Sequence, residues 1–168
     1  MPKVYKYHIP PENSLIYKDF GRIDYCDSYH IVKSTDETID NITTEVFRIP
    51  NWVDLLIRIR NSLVRLFGLK TGNEKNFTES INYSIGEKAG SYFAVIDRSE
   101  NEIVMGQNDK HLNFRVSVMK KKCEQDCSIY LTTIVKFNNI WGRMYFLPVK
   151  PFHQIIVKSL LKRVPLSA

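Results

Sequence analysis

Residues 102–137, EIVMGQNDKHLNFRVSVMKKKCEQDCSIYLTTIVKF, decide the fold. From His111 onward, Leu112, Phe114, Val116 and Val118 alternate with His111, Asn113, Arg115 and Ser117. A period of two puts one set of side chains on a buried face of a strand and the other on the opposite face. Residues 128–137, SIYLTTIVKF, are rich in β-branched and aromatic types and read as the returning strand. Lys120, Lys121 and Lys122 fall near the turn between them and read as a solvated loop end that discourages edge pairing.

Working outward, further strands are predicted at 23–32, 91–98, 102–107 and 140–147. The connections SEN (99–101) and NN (138–139) suit antiparallel hairpins. Ser34, Thr35 and Asp36 are N-cap types for a helix carrying Ile39, Ile42 and Val46 on one side, which stops before Pro50. A second helix is predicted over 51–67, NWVDLLIRIRNSLVRLF, with Gly68 as its stop. On a wheel of about 100° per residue, Trp52, Leu56, Ile59, Leu63, Leu66 and Phe67 form the centre of an apolar arc. Arg60 falls inside that arc. Residues 70–90 turn polar and read mostly as loop with one short strand. Pro148 and Pro151 end the sheet and open a final helix over 151–164, with Phe152, Ile156, Val157, Leu160, Leu161 and Val164 on its apolar face and His153 in the middle of it. Residues 1–21, punctuated by Pro10, Pro11 and Gly21, read as an N-terminal arm or loop. The class is α+β: a curved antiparallel sheet packed on a long C-terminal helix, with two helices after the first strand, in one domain spanning 1–168.

Composition is that of a globular chain, with 43% hydrophobic and 25% charged residues. No apolar run reaches the roughly 20 residues of a membrane span, and no secretory h-region is visible. Three cysteines, with Cys123 and Cys127 spaced C-x-x-x-C, fit neither a zinc nor a thioredoxin-like redox pattern and predict a reduced, cytoplasmic protein. The net charge of +6 raises a nucleic-acid partner. Beyond the lysine run the basic residues are scattered, and no nucleic-acid-binding signature accompanies them, so none is expected.

Four stretches carry a family resemblance: IDYCDSYHI (23–31), FRIPNWVDLLIRIRNSLVRLFGLK (47–70), EIVMGQNDKHLNFRVSV (102–118) and PVKPFHQIIVKSLLKR (148–163). With them the chain resembles the bacterial family catalogued as domain of unknown function 2867. Its element order also resembles the START-like (SRPBCC) helix-grip superfamily of ligand-binding and cyclase domains. The resemblance implies a cavity between the sheet and the last helix. Relatives can be joined to a Rossmann-type domain, but no G-x-G-x-x-G run occurs in these 168 residues.

Six residues are candidate ligand contacts. An arginine in an apolar arc pairs with an acid (Glu45, Asp27 or Asp109) or faces a cavity; in the second case Arg60 is a forked cationic handle for an anionic headgroup. His153 is either a neutral core histidine or a proton donor and acceptor facing the pocket. Asp109, His111 and Arg115 are either a structural turn with a cross-strand ion pair, or polar groups of a site. Trp52, with Trp141, Tyr92, Phe93, Tyr145 and Phe146, supplies either an apolar wall or plain core. The dispersed histidines do not make a metal site, and no cofactor is expected. The expected function is binding of a small apolar or amphipathic ligand, with an acidic group where Arg60 faces the cavity. The alternatives are an interaction module that docks a second copy or a partner domain, and an enzyme of cyclase or isomerase type using His153.

Overall fold

A computed structural model describes residues 3–7, 9–48, 83–89, 93–122 and 126–164. Seven strands form one antiparallel sheet: β1 (Tyr5–Tyr7), β2 (Tyr25–Lys33), β3 (Lys88–Ala89), β4 (Phe93–Arg98), β5 (Glu102–Asn108), β6 (Leu112–Lys122) and β7 (Cys127–Phe137). Their spatial order is β1-β2-β7-β6-β5-β4-β3. Helix α1 (Ile39–Phe47) follows β2, and α2 (Ile140–Leu161) follows β7 and packs back on the sheet. The α+β class is thus as expected. The second helix expected at 51–67 lies outside the described residues.

The alternation in β6 does what its period predicts. Register sets Tyr29 opposite Leu131, Leu131 opposite Val118 and Val118 opposite Ile103, a row of four buried side chains across four strands. They join Ile39, Ile42 and Val46 of α1 and Val157, Leu160 and Leu161 of α2 in the main core. Thr38, rather than residues 34–36, caps α1, its hydroxyl accepting from Asn41 N–H at 3.2 Å. Lys120 has the parity of Val118, so it points to the helix side and not to solvent. It is buried and donates to the Glu37 carbonyl at 2.8 Å.

Two further expectations are corrected. Residues 140–147 are the first two turns of α2, not a strand. Asn139 caps them, its side-chain oxygen accepting from Gly142 N–H at 3.0 Å, and Gly142 and Phe146, four apart, are buried on the sheet side. Pro148 and Pro151 lie within the helix instead of opening it. Both are exposed, as are Met144 and Leu147, whose carbonyls the prolines leave without an intrahelical donor, so water can serve them.

The second correction concerns residues 1–21, which are not merely an arm. β1 extends the sheet, and a 3-10 turn at Leu15–Tyr17 lies over the face opposite α2, where Ile16 and Phe20 pack on Val104 and Ile134. That face carries a buried polar row, Ser28 opposite Thr132 opposite Ser117. The Glu102 carboxylate, also buried, accepts from Ser14 Oγ at 2.5 Å, Leu15 N–H at 2.8 Å and Ser117 Oγ at 2.5 Å. Three donors from two segments hold the N-terminal turn against the sheet.

Candidate functional site

On β2 the odd-numbered residues face α2. Between the core residue Tyr29 and the strand's start, that parity delivers Tyr25 and Asp27 to the space under the helix. Asp27 is 2% exposed. Its Oδ2 accepts from Tyr25 Oη at 2.7 Å, and its Oδ1 lies 3.6 Å from Nε2 of His153 on α2. The same imidazole nitrogen is 3.2 Å from Thr133 Oγ1, and Thr133 faces Asp27 across the β2–β7 ladder. Gln154 Nε2 donates to Tyr25 Oη at 3.2 Å. Phe146 closes one side, its ring 4.6 Å from that of Tyr25.

The cluster is asymmetric in its satisfaction. Asp27 Oδ1 and Tyr29 Oη are buried and make no hydrogen bond among the described residues. Leaving a buried polar atom unpaired costs about 1–3 kcal/mol. Burial, and then the Asp27 charge, push the Tyr29 phenol up to about 12. The same two causes, with the Tyr25–Asp27 hydrogen bond, push Tyr25 higher still. Both phenols therefore stay protonated near neutrality; Tyr25 spends its proton on Asp27, and Tyr29 is a donor in reserve. Lys150 and Lys158, on α2, place their ammonium groups 5.2 and 5.4 Å from the Tyr25 and Tyr29 ring centroids. Chemically the site offers a carboxylate oxygen, an imidazole at its half-buried rim and phenolic hydroxyls, set in an apolar surround.

Of the six sequence candidates, His153 is in this cluster. Arg60 and Trp52 lie outside the described residues. Asp109 and His111 form the β5–β6 turn, which is where the helix begins: Asn138 N–H donates to the His111 carbonyl at 2.9 Å, Asn138 Nδ2 to the Asp109 carbonyl at 2.7 Å, and His111 Nδ1 meets the Asn139 amide. Arg115 is on the opposite face of the sheet, bonded to Asn108 Oδ1 and the Phe114 carbonyl, each at 2.9 Å, with its guanidinium 5.3 Å from the Phe20 ring centroid. In place of the expected cross-strand ion pair, Arg115 has neutral partners.

Sequence reasoning offered Asp27 only as a partner for Arg60, and did not single out Tyr25, Tyr29 or Thr133. A usable signal was present: in YCDSYHI, Asp27 has the parity of Tyr29 and Ile31, so a carboxylate was due on the buried face.

No group of three or more potential metal-ligating side chains is assembled among the described residues. The fold and cluster define an antiparallel α+β protein with a buried polar site beneath α2 that is incompletely hydrogen-bonded among the described residues. The family described as protein of unknown function, DUF2867, matches residues 20–160, and the chain belongs to it. That match runs from before β2 almost to the end of α2. No curated protein and no solved structure matches the chain.

Proposed function

We propose that the chain acts as a single START-like, helix-grip domain, and binds a small amphipathic ligand between the sheet and α2. The observation that carries this reading is the buried Asp27 carboxylate, one oxygen of which, like the Tyr29 hydroxyl, makes no hydrogen bond among the described residues. A protein that needed these groups for stability alone would pair them. Beside Asp27 the ligand presents a hydrogen-bond donor, a hydroxyl or an amine, because a second anion there would be repelled. Tyr29 and His153 serve as further polar contacts, and apolar side chains supply the walls. Arg60 and Trp52 remain proposed contacts on their helical positions in the sequence, Arg60 for any acidic group at the ligand's other end. Asp109 and His111 are assigned the support of the helix start, and Arg115 the support of the outer face. A cytoplasmic location and a bacterial source belong to the same proposal, and no helix among the described residues is long and apolar enough to cross a membrane.

Native mass spectrometry of freshly purified protein, repeated after denaturation, tests the reading. A small molecule released on denaturation is expected. A chain that stays bare after incubation with lysate small molecules would overturn it.

One observation favours a second reading, acid–base catalysis. The buried Asp27 carboxylate lies 3.6 Å from the His153 imidazole and can orient it at the site's rim. Turnover of any substrate found would then disappear in His153→Ala.

A further inference from the structure

Helix α2 is apolar on both sides. Its sheet-facing side is accounted for by the core. Its outward side carries Ile140, Trp141, Met144, Leu147, Phe152 and Ile155, each between 37% and 65% exposed. At about 100° per residue these six fall within an arc of about 140°. They make one continuous stripe running from the helix start to Ile155. Scattered exposed apolar side chains need no explanation, but a stripe of six on one helix face does.

Charge says what covers it. Residues 140–164 contain Arg143, Lys150, Lys158, Lys162 and Arg163, all exposed, and neither Asp nor Glu. Lys158 and Lys162 continue the stripe beyond Ile155, and Arg163 lies at its edge. A second copy docked through this face would bring cation against cation with no carboxylate from either helix to compensate. A surface that is apolar just below and anionic at its plane matches both features at once. We propose that the outward face of α2 seats the protein on an anionic lipid bilayer, with the helix lying in the headgroup plane.

The details of the stripe suit that position. Trp141 and Phe152 are bulky aromatics of the kind that sit at the membrane–water interface. Basic side chains reach phosphates while their stems stay among apolar groups. The carbonyls of Met144 and Leu147, left without donors by Pro148 and Pro151, stay hydrated at headgroup depth, where they would not in the hydrocarbon interior. The apolar stripe is not part of the ligand site, although Lys158 also reaches the Tyr29 ring there.

Vesicle flotation of the full chain tests it, with mixed phosphatidylglycerol–phosphatidylcholine vesicles against phosphatidylcholine alone. Binding to the anionic vesicles is expected to be at least roughly tenfold tighter than to neutral ones, and to weaken as salt rises. Leu147→Glu should lower it by roughly tenfold or more, and Lys162→Gln by roughly fivefold. Leu147 is 65% exposed, so the substitution should leave the thermal transition in place. If Leu147→Glu melts early, Ile155→Glu replaces it. Failure of the wild-type protein to float at low salt overturns the proposal, as does flotation unaffected by the variants. A dimer abolished by Leu147→Glu, without vesicle binding, would assign the face to a second copy.

Discussion

Asp27 Oδ1 lies 3.6 Å from His153 Nε2, with the carboxylate side chain 1% exposed and the imidazole 23%. The pair joins the second strand to the last helix, yet it is too long for a hydrogen bond. A buried carboxylate held this way is a cost to the fold, not a support for it. Asp27→Asn keeps the oxygen that accepts from Tyr25 and removes the charge. It should leave stability unchanged or raise it by about 1–2 kcal/mol. Urea unfolding measures this, and a clear fall in the midpoint would mean that Asp27 is structural.

The phenols give a pH dependence. Tyr29 is raised from 10.0 to about 12, by burial first and by Asp27 second, and Tyr25 is raised further for the same reasons. Each binds its proton more tightly folded than unfolded. The stability they contribute is therefore complete below pH 10 and is lost as pH rises through 12 and beyond. The melting temperature should fall over that alkaline range. In Asp27→Asn, phenolate absorbance should develop at lower pH than in the wild-type protein.

Glu102 predicts the strength of the N-terminal turn. Glu102→Gln turns one of its two oxygens into an amide that cannot accept from Ser14, Leu15 or Ser117. A loss of about 1–3 kcal/mol is expected. Limited proteolysis should then cut first within residues 10–20.

Gly142 marks the closest approach between α2 and the β5–β6 turn. A Cβ there would lie 2.1 Å from the His111 carbonyl oxygen and 2.8 Å from its carbon, and backbone cannot swing aside. Gly142→Ala should destabilise by about 1–3 kcal/mol, read by thermal unfolding.

Periodicity made most of the sheet legible. Leu112, Phe114, Val116 and Val118 announced β6, and β2, β5 and β7 were found within one or two residues of their ends. Patterning failed at 140–147 because Trp, Met, Tyr, Phe and Leu suit either a strand or a buried helix. The informative residue was Asn139, a cap read as part of a hairpin turn. Proline seemed to start the helix because its cost inside one is large; on the solvent side water lowers that cost. The N-terminal segment escaped because its anchor, Glu102 with Ser14, is 88 residues apart in sequence. Of the polar cluster, sequence singled out His153 as a candidate contact, a polar residue on an apolar helix face. Asp27 was hidden by attention to Arg60, since a long-range pairing across β2 and α2 leaves no local spacing to read.

On the proposed reading, the groups beneath α2 that lack a hydrogen bond among the described residues exist to meet a ligand. Native mass spectra of wild-type protein and Asp27→Asn, purified side by side, test it most directly. A small-molecule adduct is expected on the wild-type chain, lost or sharply reduced in Asp27→Asn, while Leu147→Glu retains it. An adduct held equally by Asp27→Asn, or a bare wild-type chain after exposure to lysate small molecules, would contradict it.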